Sequence, residues 1–450
     1  MKEVVAKPVF TEISHYLDLY KRHIEPRQVS EPQWLTDFRK HAIDQFVELG
    51  FPGSDEEEWR FTNVTPVAKF NAKLFQKPSP NDITDDIFLK IPFVGLNCIN
   101  IVFVNGYYNA ALSSKAEEKD GIYIGNFADF LTRDANFLKE LVADKRLEIS
   151  DAFTALNFAM FSDGALIIVP PGVNVSKPVH IIHISQGKET GNSAHIRNII
   201  HAGKDSAVNV IETYISFDSG SAFTNSFTEV LAEDGANVEI IRCLLENQDS
   251  YNIGSTVSIL GNSVKFGSHS IALGGRIARH TIKSRLNGQF IDAVFSGIYM
   301  GRDSQVIDHH LTVEHVQPNC ASHEFFNGIL TDKSHGIFNG KIHVHPNAIK
   351  TDAKQTNKNL LLSDDATVNS QPQLEIYADD VKCTHGATVG KLDQNAIFYL
   401  RSRGIDHSRA RKMLIFAFAS EILEHVRLST ARVELEKILH EWLEGYVGVL

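Results

Sequence analysis

Cysteine is scarce in this chain: four residues in 450, at Cys98, Cys243, Cys320 and Cys383. They stand far apart and form no Cys-x-x-Cys pair, which argues against a zinc knuckle. A chain of this length does not need disulfides to fold, so sparse cysteine suits a reducing compartment. No apolar run approaches the length of a membrane span. The opening MKEVVAKPVF has no apolar centre of a secretory leader. The expectation is a soluble cytoplasmic protein. Basic charge is not in excess either. The formal net charge is -11 and the pI about 6.0, which excludes the basic footprint of nonspecific nucleic-acid binding. Common enzyme motifs are also absent: no Walker loop, no G-x-S-x-G elbow, no G-x-G-x-x-G after a strand.

What is present is a 43% hydrophobic content, enough for a substantial core, laid out in three textures. Residues 1–92 read as helical. Ser30-Glu31-Pro32 is a start signal. Trp34, Leu35, Phe38, Ala42, Ile43, Phe46 and Leu49 then form a stripe at helical spacing, and Gly50 and Pro52 end it. Next, Glu56-Glu57-Glu58-Trp59-Arg60-Phe61-Thr62-Asn63 mixes acids with aromatics. It reads as a docking segment whose rings pack on the core while the acids stay in water.

Residues 93–392 are rich in Val, Ile, Thr and Phe and are cut by Gly, Asn, Asp and Ser, the pattern of many strands. A helical insertion near residues 126–161 carries Phe130, Leu131, Phe137, Leu138, Leu141 and Val142. Val208-Asn209-Val210-Ile211-Glu212 echoes Val238-Glu239-Ile240-Ile241-Arg242 at an offset of thirty. Each follows a turn holding Asp and a small residue, and Asp364-Asp365-Ala366 repeats the turn. An irregular repeat with several short strands in each unit predicts a β-solenoid, because each coil buries its apolar side only by stacking. A sandwich or jelly roll is the alternative, but Asn-Gly and Asp-Gly hairpin signals are few. Residues 393–450 return to helix, with Met413, Leu414, Phe416, Ala417, Ile422, Leu423 and Val426 on one segment and Trp442 on the next. These helices either cap the open solenoid end or bind a partner.

Cys383-Thr384-His385 carries the chemistry of interest. Residues two apart on a strand share a face, so a thiol and an imidazole project together. Both are soft or borderline metal ligands. An isolated C-x-H also suits a buried Cys beside a hydrogen-bonded His. Twenty histidines are present, crowded between His309 and His345. His343 and His345 flank Val344 and share a face, as a metal pair or as polar ladder positions. His309, His310, His315, His323 and His335 suit the ladder. Gly274-Gly275 reads as a bend. Some solenoids act on polysaccharides with paired carboxylates, but Asp364-Asp365 and Asp379-Asp380 read as turn acids. A cluster iron takes about four ligands, mostly thiolates. One strand offers two, so a second chain or distant residues must supply the rest.

Residues 373–390, QLEIYADDVKCTHGATVG, resemble the SufD branch of the SufB/SufD family of SUF iron–sulfur cluster assembly scaffolds. So do Phe398-Tyr399-Leu400-Arg401-Ser402-Arg403-Gly404-Ile405, Phe338-Asn339-Gly340 and residues 350–362, KTDAKQTNKNLLL. Weaker similarity covers Glu58-Trp59-Arg60-Phe61-Thr62 and Ala155-Leu156-Asn157-Phe158-Ala159. The resemblance implies a mainly β fold, a right-handed parallel β-helix flanked by N- and C-terminal helical regions. It implies a non-catalytic scaffold that pairs with SufB through the β-helix and binds the ATPase SufC through its C-terminal helices, Met413, Leu414, Phe416 and Ala417 among them. Sulfur arrives indirectly from a desulfurase relay, and a transient iron–sulfur cluster is shared with the partner. The family's functional histidine falls on His385 and its interface thiol on Cys383. SufB proteins carry a cysteine where this chain reads residues 357–363 and an acid where it has Gly386, and both departures favour the SufD branch. Imidazole binds iron when neutral, so assembly is expected to weaken in mild acid. The isolated chain could homodimerise through the face meant for SufB. The rival readings are a carbohydrate-active solenoid and a purely structural homodimer.

Overall fold

In the computed structural model, residues 10–77, 83–115, 121–142, 149, 151–217 and 220–447 are described. Residues 1–9, read above for a leader, lie outside them. Two sheets of ten strands each form the body. From Ala165–Val169 onward the chain crosses from one sheet to the other after each strand, so strands two apart in order lie parallel and adjacent. This is a β-solenoid, and its parallel body rules out the hairpin-built sandwich. Each coil has two long strands, such as Ile277–Leu286 and Asp292–Gly301, where several short ones were expected. The echo in the sequence is the rise of one coil: Val208 lies beside Val238 and Ile211 beside Ile241.

One corner repeats along the solenoid. Asp205, Ser263, Phe290, Asn319, Lys350 and Asp380 all hold φ between 52° and 62°, and Gly235 takes the same place in the coil between. The residue after each of the first six corners turns inward: Ser206, Ala236, Val264, Ile291, Cys320 and Thr351 are buried. A left-handed position followed by a small or apolar inward residue is therefore the true unit of the repeat. Gly274-Gly275 is a bend, with Gly275 at φ 83°. Asp364 and Asp365 also lie between strands.

Inside the coils, alternate residues such as Val208, Val210, Ile282, Leu311 and Phe326 form a continuous core. The residues between them point outward, and helices cover many of these. Strands buried on both faces read as unbroken apolar runs. The N-terminal helix Gln33–Leu49 starts after Pro32 and stops at Gly50. Its Ala42, Ile43 and Phe46, with Phe153 and Phe158 of helix Ala152–Met160, pack on Phe223, Phe227 and Tyr251 of one sheet. Leu49, expected in the stripe, is 39% exposed, because it sits at the last turn. Trp59 is buried under the Arg279 guanidinium at 3.7 Å, while Glu56, Glu57 and Glu58 stay exposed. Arg279 is itself paired with Asp308 at 2.7 Å. Helices Phe127–Arg133 and Ala135–Val142 fill the expected insertion.

The C-terminal helices are Gln394–Ser402, His407–Leu423 and Ser429–Val447. Asp393 and Asp406 cap the first two through Asn395 N and Arg409 N. The last two pack Ile415, Ala419, Ile422, Leu435 and Leu439 on Ile241, Ile271, Ile298 and Ile329, on the outer face of the other sheet. They lie along the side of the solenoid. The capping reading is therefore corrected: the last strand, Lys382–Gly390, keeps nearly every residue exposed.

Candidate functional site

The final coil consists of Thr367–Ile376 and Lys382–Gly390, the terminal strands of the two sheets. Register fixes what its residues face. Ser322, Ala353 and Cys383 form one column, and Glu324, Gln355 and His385 the next. Ser322, Glu324 and Gln355 are buried inside the solenoid. Cys383 and His385 hold the equivalent inward positions of the last coil, with no coil beyond. They line the mouth of the solenoid. Cys383 is half-buried against Ile342, Val344, Ala353 and Ala378, and His385 is exposed. A side-chain carbon added at Gly386 or Gly390 would meet nothing within 4 Å.

Burial pushes the Cys383 thiol above its ordinary value; the Ala353 backbone opposes the shift and Asp352 adds to it. The free chain thus keeps this thiol protonated, and a metal must displace its proton to bind. The donor set is one thiol and one imidazole. Among the described residues, no group of three or more His, Cys, Asp or Glu is placed to hold one metal ion. A cluster with about four ligands per iron pair would find half a site here.

Beneath the mouth the interior is polar, which the sequence reading missed. Gln355 Nε2 donates to Glu324 Oε2. Burial raises the Glu324 carboxyl to about 8. Asn357 donates to the Tyr299 hydroxyl at 3.2 Å, and Ser370 donates to Asn357 Oδ1 at 2.7 Å. Deeper in, the Ser270 hydroxyl lies 3.0 Å from His280 Nδ1 and 2.9 Å from His309 Nε2. The available signal was the alternation of Gln355, Asn357 and Asn359 along one strand, legible only once inward and outward positions are known.

The other residues singled out from sequence fall in distinct places. His309 and His315 face inward and are buried; His315 Nε2 lies 2.9 Å from the Ser322 hydroxyl. His310 faces Asp308 at 3.1 Å, and His335 meets Asn369 at 2.6 Å. His343 and His345 lie on the outer face, their rings 4.4 Å apart. Met413 and Ala417 are exposed, whereas Leu414 is half-buried and Phe416 stacks on His440 at 4.1 Å. Those four residues do not share one open face. Phe398 and Tyr399, on the helix that follows the last strand, are 73% and 57% exposed. A cleft of about 640 Å³ lies between helix Ala135–Val142 and the corner ridge. Two of its acids are already engaged: Glu233 accepts from Lys204 N, and Asp234 from Asn262 N. No helix among the described residues is long and apolar enough to cross a membrane.

Comparison with known proteins gives the family. The family model described as SUF system FeS cluster assembly, SufBD core domain, matches residues 183–418, and the SufBD protein N-terminal region matches residues 11–181. The chain is 33% identical to the iron-sulfur cluster assembly protein SufD of Escherichia coli K12, over 86% of this chain and 88% of that protein. It is 27% identical to the SufBD family protein slr0076 of Synechocystis, over 95% of each. Identity to SufD of Bacillus subtilis is 27%, over 95% of this chain and 98% of that one.

Proposed function

This chain belongs to the SufBD family of iron–sulfur cluster assembly proteins, and from that premise we propose that it is a SufD-type, non-catalytic scaffold subunit. It supplies one half of a cluster-building site and takes the other half from a SufB-type subunit. The observation that carries this reading is the open mouth, where Cys383 and His385 stand on an edge strand whose outer side has no partner among the described residues. Edge strands are normally blunted or covered, and this one presents two metal donors in an incomplete set. A partner strand added there would satisfy the free backbone groups and bring the missing thiolates.

The cluster is cargo, so its ligands should release it. His385 supplies a neutral nitrogen donor, and Cys383 an accessory thiol whose proton must leave first. The C-terminal helices carry the ATPase contact, through exposed Met413 and Ala417. The test is His385→Ala in the complex reconstituted with SufB-type and SufC-type subunits. Anaerobic cluster formation, followed by absorption, should fall at least tenfold while the complex still elutes intact. Unchanged cluster yield would remove His385 from the mechanism.

A further inference from the structure

We propose that His343 and His345 form a second site, for a divalent transition-metal ion, on the outer wall of the solenoid beside the mouth. His343 ends the strand His335–Val344 and His345 follows it. Both point outward, with ring centroids 4.4 Å apart and planes at 68°. The His343 imidazole is hydrogen-bonded to a carboxylate, and the His345 ring stands near a second one without a hydrogen bond to it. His343 Nδ1 lies 2.7 Å from Glu375 Oε2, and His345 Nε2 lies 3.5 Å from Glu314 Oε2.

Glu375 selects the His343 tautomer: a proton on Nδ1 leaves His343 Nε2 as a lone-pair donor, and the neighbouring His345 ring offers a second nitrogen. A ring nitrogen bound to a carboxylate opposite the free one is the usual arrangement of a metal-ligating histidine. Glu375 is itself fixed, since Lys341 Nζ donates to its other oxygen at 2.6 Å. The imidazole side chains are 25% and 33% exposed, which lets an ion reach them from water.

Two nitrogens leave most of the coordination sphere to water, because no third His, Cys, Asp or Glu joins them among the described residues. Such a site is weak and exchangeable. It suits metal in transit rather than a resident ion, and imidazole accepts iron along with zinc, copper and nickel. Place supports this use. Tyr377 lies 5.4 Å from His343, and from Glu375 the chain turns one corner to reach Cys383. The inference that the ion is iron rests on the function proposed above; the existence of the site does not.

Cobalt(II) is the probe, since it binds such donors more tightly than ferrous iron and reports through its visible absorption. The full-length chain carries Cys383→Ala and His385→Ala to empty the mouth. It should bind one cobalt ion, and His343→Ala or His345→Ala should weaken binding at least tenfold. Glu375→Gln, which leaves both imidazoles in place, should weaken it about tenfold. Merely adjacent histidines would not respond to that change. Cobalt titrations that are the same with and without both imidazoles, in chains of equal melting temperature, would overturn the site. Loss of cluster formation in His385→Ala alone, with cobalt binding intact, separates this inference from the assembly role.

Discussion

The two ends of the solenoid are built differently. At the first end the chain closes its own edges. Tyr123–Asn126 pairs antiparallel with Ala165–Val169, and Tyr107–Tyr108 with Ile99–Val104. Helices then seal the adjoining outer face, where Arg197 pairs with Glu229 at 2.6 Å and sits 4.2 Å from the Phe158 ring centre. At the far end no described residue pairs with the outer edge of Thr367–Ile376 or Lys382–Gly390, and the inward column turns from Phe295 through Glu324 and Gln355 to His385. One end is finished by folding. The other is finished by association, and its donors are placed where association would complete them.

The contrast predicts unequal costs. Arg197→Ala at the closed end strands a buried carboxylate and should cost about 3–5 kcal/mol, measured by chemical denaturation. A cost below 1 kcal/mol would mean the helices do not seal that face. Near the mouth, the Glu324 carboxyl is raised from 4.5 to about 8, so the folded chain favours its protonated form. Its contribution is whole below pH 4.5 and is lost as pH rises to about 8. Glu324→Gln should therefore exceed the wild type by roughly 1–3 kcal/mol at pH 9, with the gap closing toward pH 4.5. A gap independent of pH would remove the titrating carboxyl from the open end. Midway between the ends, Phe290 holds φ 58° and is 62% exposed. A bulky left-handed residue is strained, so Phe290→Asn should raise stability by about 1 kcal/mol. The smallest stability effect belongs to the mouth itself, where His385→Ala should stay within about 0.5 kcal/mol of wild type. A larger loss would make His385 a structural residue.

Much of this architecture could be read from residue order. The echo of residues 208–212 in 238–242 is the actual coil register, because stacked strands demand like residues at like positions. Cys383 and His385 were legible since alternation along one strand is enough to pair them. The polar interior was not. Glu324, Gln355 and His385 come together only through register, and a strand buried on both faces hides which side each residue takes. The same holds for the carboxylates near His343 and His345, which arrive from neighbouring coils. The resting place of the C-terminal helices was ambiguous for another reason: a broad apolar stripe fits the side of a solenoid as well as its end.

Hydrogen–deuterium exchange separates the two ends most directly. Amides of residues 382–390 should exchange quickly in the dilute isolated chain and slow at least tenfold when a SufB-type subunit is added, while residues 123–126 keep the same rate. Exchange of residues 382–390 that is indifferent to the partner would contradict an open end completed by association.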